Sequence, residues 1–219
     1  MKRTWIGSHR AAWILAAPIL AALALACPVA SFAEEGKWVS LFDGKSLEGW
    51  TVLELGKQPG MSHWEVKDGV IEGSGLQSML FSPRGDYKNF RYRAEVKIND
   101  GGNSGMYIRT PKEATFSKGY EVQVNSTHRD PIKTGSIYTY VHIYRQLAPP
   151  DTYFTQEIEA VDKMYRGKMV THIKVSVNGE VIHEFLDHQR AWQEGHFAFQ
   201  QHDPGSRVSI RKVEVMELP

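Results

Sequence analysis

Cysteine is almost missing from this chain: Cys27 is the one cysteine among the 219 residues. It lies within the N-terminal segment, so a chain cleaved after Ala33 would contain no thiol and could form no disulfide. We therefore expect the mature protein to be held together by an ordinary hydrophobic core, which a segment of this length can form.

Signature motifs of several enzyme classes are also missing. The chain has no glycine-rich phosphate loop, no HExxH, no CxxC and no Gly-x-Ser-x-Gly elbow. These absences argue against phosphate-loop nucleotidases, zinc proteases of the HExxH type, thioredoxin-like enzymes and serine hydrolases. The chain has nine histidines, but no pair shows metal-ligand spacing on one predicted face, so a structural zinc site is not indicated.

Basic residues neither outnumber acidic residues nor cluster after the N-terminal segment. Residues 34–219 contain 23 Lys and Arg against 25 Asp and Glu, a net charge of −2, and no basic run exceeds two residues. A protein that binds nucleic acid needs a basic surface to neutralise phosphates, so we expect no nucleic-acid partner.

Residues 1–33 have the features of a secretory signal peptide. Three basic residues precede or flank the start of an apolar stretch, Ala11–Ala26, and small residues at Ser31 and Ala33 suit cleavage near Ala33. We therefore expect a periplasmic or secreted protein with a single domain at 34–219 and no stable membrane span.

Two other interpretations of this segment stay open. It could be retained as an anchor helix, although Pro18 and Pro28 and the short apolar span disfavour this. It could instead be a lipoprotein signal ending at Cys27, although Ala24 stands where leucine is usual.

Alternating polarity predicts an all-β protein. No stretch after Ala33 keeps a helical period over three turns, whereas Phe90–Ile98 alternates apolar and charged residues without a break. Asp68-Gly69 and Asn178-Gly179 are typical two-residue hairpin turns. About twelve short strands of this kind indicate an antiparallel β-sandwich or jelly roll.

The other predicted strands are less regular. Residues 161–170 look like an insertion between two of them, and a bulge near Arg211-Lys212 would absorb a change of phase in the last strand. Further strands are predicted at Trp64–Gly73 (a hairpin), Ser78–Ser82, Gly135–His142, Gln156–Ala160, His172–Val177, Gly195–His202 and Val208–Val215.

Gly101–Asn125 holds two predicted strands, each with one apolar and one polar face. Planar polar and aromatic side chains suit sugars, because rings stack on a pyranose while Arg, Gln and Glu bind its hydroxyls. If four strands are neighbours in one curved sheet, a saccharide groove would contain Tyr107, Arg109, Glu121, Gln123, Tyr138, His142, Gln200 and His202.

Six sequence blocks lie in order along the chain: Leu41–Trp50, Asn103–Arg109, Gly119–Val124, Thr134–Tyr138, Val177–Gly179 and Phe199–His202. Together they resemble the bacterial 3-keto-disaccharide hydrolase family, formerly a domain of unknown function. The resemblance implies a concanavalin A-like jelly roll, as in lectins and glucanases, that acts on sugars whose C3 hydroxyl is oxidised to a ketone.

Two departures from the family pattern are visible. Tyr153 stands where the family usually has tryptophan, and residues 162–170 are longer than the usual short turn. Both are expected to reshape one end of the groove.

A mechanism follows from the missing carboxylate. Glucanases of this fold use Glu-x-Asp-x-x-Glu, whereas Glu121–Asn125 reads EVQVN, so hydrolysis by a carboxylate pair is poorly supported. A 3-keto sugar needs only one base, because the ketone acidifies its C2 proton and the C1 substituent can then leave. We expect Glu121 or His142 as the base, Arg109 as the group that stabilises the enolate, and His202 as the acid.

The saccharide itself is expected to contact Asn103, Tyr107, Gln123, Tyr138 and Gln200. A divalent ion held by Glu121 and a histidine could serve as Lewis acid, and the sequence neither requires nor excludes it. Two alternatives remain: a non-catalytic, lectin-like carbohydrate-binding domain, and an adhesion module with exposed apolar patches.

Overall fold

The structure is a computed structural model that describes residues 1–2, 36–56 and 60–219. The predictions of a signal peptide at 1–33, of cleavage near Ala33 and of possible lipidation at Cys27 lie outside the described residues. Gly36–Pro219 forms one compact unit. The described residues include no helix, and hence none long and apolar enough to cross a membrane.

Thirteen strands pair into two antiparallel sheets. They are β1 Val39–Ser40, β2 Thr51–Glu54, β3 Ser62–Lys67, β4 Val70–Gly75, β5 Ser78–Phe81, β6 Phe90–Ile98, β7 Ser104–Thr110, β8 Tyr120–Val124, β9 Phe154–Tyr165, β10 Lys168–Val177, β11 Glu180–Asp187, β12 His196–Gln201 and β13 Val208–Glu217.

The larger sheet has the strand order β11-β10-β9-β6-β13-β4-β3, and β1 also pairs with β13. The smaller sheet has the order β2-β5-β12-β7-β8. The prediction of an all-β antiparallel sandwich is confirmed.

Strand alternation fills the space between the sheets. Buried and half-exposed residues alternate without a break along β6, so its apolar face is core and its charged face is solvated, as predicted. Aromatic rings join the sheets: the Tyr92 ring of β6 stacks on the Phe197 ring of β12 with centroids 4.0 Å apart. This packing buries the inner face of each sheet and leaves the outer face of the smaller sheet to build a site.

Both predicted hairpin turns are present. Asp68 and Gly69 have φ angles of 51° and 78°, and Asn178 and Gly179 have 52° and 81°. Two successive positive φ angles define the type I′ turn, for which the Asn-Gly and Asp-Gly pairs are suited. The predicted bulge in β13 is also present, since its register against β6 shifts between Arg211 and Glu214.

Two predictions about the chain path are wrong. Residues 135–142 form a turn with isolated bridges at Ile137 and Val141 instead of a strand. Residues 161–170 are no insertion, because β9 and β10 run on as one long hairpin that turns at Arg166-Gly167.

The two departures from the family pattern lie away from the smaller sheet. Tyr153 packs beneath Lys97 and Arg211, with the Arg211 guanidinium 4.0 Å from its ring centre, on the outer face of the larger sheet. The long β9–β10 hairpin belongs to the same sheet. Neither reshapes a groove on the smaller sheet, so that expectation is corrected.

Candidate functional site

A cavity of about 420 Å³ opens over the outer face of the smaller sheet. Its walls come from β8 and β12, from Asn103 just before β7, and from the loops that follow β7, β8 and β12. The lining residues are Asn103, Thr115, Phe116, Ser117, Glu121, Gln123, Tyr138, Thr139, Gln200 and His202.

Strand register brings the polar side chains together. Tyr107 of β7 pairs with Glu121 of β8, and Gly105 pairs with Gln123 two residues along. Side chains two residues apart share a face, and the inner partners of these residues, such as Val122, lie in the core. Four of the five expected saccharide contacts therefore line the cavity, and Tyr107 lies fully buried below them.

The Glu121 carboxylate lies against Gly105, in space that is free because glycine has no side chain. A Cβ added to Gly105 would lie 2.5 Å from Glu121 Oε1, well inside any real contact distance. With its amide oriented to satisfy both ends, Gln123 donates to the same Oε1 at 3.2 Å. Gly105 and Gln123 thus hold the acid at the centre of the cavity wall.

Burial raises the pKa of Glu121 to about 8. The nearby Tyr107 hydroxyl and Gln200 amide oppose this rise in pKa, and the negative charge of Asp130 adds to it. A carboxyl group with such a pKa is mostly protonated at pH 7 and becomes a base of useful strength just above it. Among the residues that line the cavity it is the one carboxyl group.

Neutral amides and phenols support the acid. Gln200 Nε2 donates to the Tyr107 hydroxyl at 2.9 Å, and that hydroxyl donates to the Phe116 carbonyl at 3.1 Å. The Asn103 side chain lies 3.1 Å from the Gln123 amide. The Tyr138 hydroxyl donates to Asp130 Oδ2 at 3.0 Å, which fixes its ring at the cavity edge.

His202 stands at the other side of the cavity beside a carboxylate. Its ring stacks on Phe116 with centroids 5.6 Å apart, and its Nδ1 lies 3.1 Å from Asp203 Oδ2. A second histidine shares that oxygen, since His128 Nε2 lies 3.0 Å from it. Two imidazoles therefore flank one carboxylate.

A backbone contact decides which nitrogen of His128 carries the proton. The Asp130 amide donates to His128 Nδ1 at 3.1 Å, so Nδ1 must keep its lone pair. Burial lowers the pKa of His128, which favours the neutral ring, so its proton sits on Nε2, the atom that lies 3.0 Å from Asp203 Oδ2. The same carboxylate oxygen lies 3.1 Å from Nδ1 of His202, and Nε2 is the other ring nitrogen of His202.

Arg109 does not reach the cavity, contrary to our expectation. The register between β12 and β7 shifts between His196 and Ala198, and Arg109 has a φ angle of 50°, so the strand bulges there. The bulge turns the side chain inward, where it is fully buried and pairs with Asp162 at 2.9 Å. Neither the enolate role nor a salt bridge to Glu121 fits this position.

His142 is also remote from the cavity. It lies in the turn that replaces the predicted strand, is exposed to solvent, and contacts the Tyr144 hydroxyl at 3.2 Å. Strand alternation was the reason to place it on the polar face, and alternation does not hold in a turn.

Sequence reasoning missed several residues of the site. The cavity residues Thr115, Phe116, Ser117 and Thr139 lie in loops, where no alternation identifies them. His128 and Asp203 also lie outside the strands, in the group of side chains beside the cavity residue His202. One signal was available, because Asp203 directly follows His202 at a strand end where side chains often point into a site.

In the described part of the chain, no three His, Cys, Asp or Glu side chains gather in a group that could hold a metal ion. The divalent ion considered above therefore has no ready set of three such ligands within 36–56 and 60–219.

Residues 37–216 match the sequence profile of a family described as the 3-keto-alpha-glucoside-1,2-lyase-like domain. A curated relative, the 3-keto-disaccharide hydrolase of Bacteroides thetaiotaomicron, is 27% identical over 162 residues. The alignment takes in 61% of this chain and 54% of the relative, so the chain matches about half the length of that protein.

Solved structures share the fold. A candidate glycosyl hydrolase from Parabacteroides distasonis superimposes with a TM-score of 0.65 at 19% identity, over 83% of this chain and 100% of that one. The carbohydrate-binding module CBM66 of Bacillus subtilis gives a TM-score of 0.58 at 16% identity, over 77% and 96%. At these identities the likeness establishes the fold alone.

Proposed function

Since the chain belongs to the 3-keto-alpha-glucoside-1,2-lyase-like domain family, we propose that it cleaves the glycosidic bond of 3-keto-disaccharides by elimination at the cavity over the smaller sheet. One observation carries the proposal: Glu121 and His202 line the same 420 Å³ cavity, with a single carboxyl group among its lining residues. Such a cavity supplies one base and one acid, which is what elimination requires.

The first step breaks the C2–H bond of the sugar. The deprotonated Glu121 accepts the proton, and the electron pair moves towards the C3 ketone to form an enolate. The raised pKa makes Glu121 a stronger base than an ordinary carboxylate, since proton affinity rises with pKa. Arg109 is not available to stabilise the enolate, so that task passes to the amides of Asn103, Gln123 and Gln200.

The second step breaks the C1–O bond. The enolate collapses to a C1=C2 double bond, the C3 ketone is restored, and the leaving oxygen takes a proton from His202. The Asp203 carboxylate lies 3.1 Å from Nδ1 of His202, so we assign the role of acid to Nε2, the other ring nitrogen. Addition of water across C1=C2 would then complete a net hydrolysis.

Wall chemistry fits a sugar ring. Phe116 and Tyr138 offer aromatic surface for the apolar face of a pyranose, and the amides offer directed hydrogen bonds to its hydroxyls. The cavity volume is of the size that holds one sugar ring, at the lower end of the range of ligand sites.

The test is proton exchange and cleavage with paired substrates. We expect the unmodified protein to wash deuterium into C2 of a 3-keto-disaccharide and to cleave it, and to leave the unoxidised disaccharide intact, because only the ketone acidifies C2. The Glu121→Gln variant should lose at least a hundredfold in both rates. Glu180→Gln is the matched control, since Glu180 is exposed on β11 of the other sheet.

A carbohydrate-binding role is the second candidate, and the single carboxyl group in the cavity favours it over an ordinary glucanase. A binding domain would hold the sugar with no exchange at C2. Full cleavage by Glu121→Gln would contradict the proposed mechanism, and binding without exchange in the unmodified protein would select the second candidate.

A further inference from the structure

A second cavity lies next to the first and shares His202 with it. Its volume is about 430 Å³, and its other lining residues are Leu55, Gly56, Leu76, Gln77, Asp203 and Pro204. The first cavity contains Glu121, Gln123 and Asn103, whereas the second has Leu55, Leu76 and Pro204 beside Gln77 and Asp203. His202 is the one residue that the two linings have in common.

The shared residue defines what the second cavity can hold. An acid that protonates the leaving oxygen must lie beside that oxygen, where the binding positions of the reacting sugar and of the leaving group meet. His202 lines both cavities, so with the sugar beside Glu121 the leaving group would extend past His202 into the second cavity. We propose that this cavity is the subsite for the leaving group and that it selects leaving groups with an apolar ring face; the proposal rests on the proposed function.

The walls of the subsite are fixed before any ligand binds. The buried Gln201 Nε2 lies within hydrogen-bond distance of three carbonyls, which share its two hydrogens: Gly75 at 3.1 Å, Asp203 at 2.7 Å and Ser206 at 3.0 Å. These bonds hold the 203–206 turn against the end of β4, so Pro204 and Leu76 keep their places on the wall. A subsite that is already formed loses less freedom when a ring enters.

The chemistry of the wall explains the selectivity. Leu55 packs against the buried cluster of Met79, Phe81, Tyr107 and Ala198 on the outer face of the smaller sheet, which anchors it. Leu55, Leu76 and Pro204 offer hydrocarbon and Gln77 offers an amide at the open edge. A pyranose or phenyl ring can lay its apolar face on such a wall, and a methyl group cannot.

Three 3-keto-glucosides that differ only in the leaving group test this subsite: methyl, phenyl and glucosyl. We expect Leu76→Asn to lower kcat/KM about tenfold for the phenyl and glucosyl substrates and less than twofold for the methyl substrate, because only a ring loses apolar contact. Leu76→Met should restore the values. Pro204→Ser, at an exposed position, is a second variant with the same expected pattern.

Val181→Asn is the matched control, because Val181 is exposed on β11 of the other sheet. An equal loss for all three substrates, or no loss for the ring substrates, would overturn the subsite while the methyl cleavage still supports the proposed function. Failure of the unmodified protein to cleave any of the three would overturn the proposed function and the subsite with it.

Discussion

A single carboxyl group gives the cavity its acid–base character at the scale of the residue. Glu121 owes its raised pKa first to burial, and its position to the absence of a side chain at Gly105. Its neighbours on the strands are amide and phenol side chains, which form hydrogen bonds and carry no charge. The residue is therefore costly to ionise, and that cost can be measured apart from any substrate.

The stability of Glu121→Gln should depend on pH. The pKa of Glu121 is about 8 in the folded protein and 4.5 in its ordinary state, so the folded form holds the proton more tightly. Its contribution to stability is complete below about pH 4.5 and is lost as the pH rises through 8. Glutamine cannot ionise, so the variant should gain about 2 kcal/mol of unfolding free energy over the unmodified protein between pH 5 and 8.5.

Urea unfolding at several pH values measures this difference. We set the expected gain below the full value of the pKa shift because the carboxyl group borders an open cavity. Glu180→Gln, exposed on β11, should show no such trend. A difference between Glu121→Gln and the unmodified protein that stays constant with pH would show that Glu121 has an ordinary pKa.

At the scale of the element, the bulge in strand β7 changes the direction of one side chain, that of Arg109. Without the bulge, Arg109 would follow Tyr107 onto the cavity face. With it, the guanidinium reaches Asp162 of β9 and the Thr171 hydroxyl of β10 at 3.1 Å, both in the larger sheet. The arginine therefore links the two sheets. Hydrogen bonds from Thr171, Arg109 and Arg190 outweigh burial and lower the pKa of Asp162.

Arg109→Met should destabilise the fold by about 3 kcal/mol, because it removes one partner of a buried ion pair and leaves Asp162 short of a donor. Thermal and urea unfolding measure the loss. The double change Arg109→Met with Asp162→Leu should recover part of it, since Asp162 is then no longer a buried carboxylate short of a donor. Recovery is only partial because Arg190 loses Asp162 as its partner, although its side chain is partly exposed.

Arg91→Met is the comparison for this prediction. Arg91 pairs with Glu157 at 2.7 Å on the solvated face of β6, so its loss should cost less than 1 kcal/mol. If Arg109→Met costs no more than Arg91→Met, the buried link does not hold the sheets together.

What the sequence predicts well at this scale are elements with a strict pattern. The alternation in β6, the Asn-Gly and Asp-Gly turns and the bulge in β13 each follow from a local preference. Residues 135–142 have the sequence pattern of a strand, because Ile137, Thr139 and Val141 alternate with polar residues, yet they form a turn. The direction of Arg109 depends on a register shift between two strands, which no local pattern encodes.

The candidate site divides along the same line. Glu121, Gln123 and Gln200 lie on regular strands, and alternation assigns them to one face, whereas Asn103 is predicted from the family resemblance. Phe116, His128 and Asp203 lie in loops, whose paths depend on long-range contacts. Sequence reasoning thus found the floor of the cavity and missed its rim.

The whole molecule depends on contacts between its two ends. Near the start of the folded unit, β1 pairs with β13, the Leu41 amide donates to the Val213 carbonyl at 2.8 Å, and the Trp38 ring lies 3.9 Å from the Arg93 guanidinium. Phe42 is buried in the core. Residues 36–50 therefore belong to the fold although they form only one very short strand.

A chain that starts at Gly36 should fold with the stability of the full unit, and one that starts at Thr51 should unfold at least 10 °C lower. The shorter chain loses the burial of Phe42 and the pairing of β1, which we expect to cost about 4 kcal/mol in a domain of this size. Circular dichroism melts of the two chains make the comparison. Equal melting temperatures would show that residues 36–50 add nothing to the fold.

The proton on Glu121 has a consequence for the kinetics of the whole protein. With a pKa of about 8, about one molecule in ten has the carboxyl group ionised at pH 7. In the proposed mechanism a turnover begins when the ionised Glu121 takes a proton, so only that tenth of the molecules can start one. The proposed cleavage would therefore slow as the pH falls. A rise from pH 7 to pH 8 would give about five times as many molecules with an ionised Glu121.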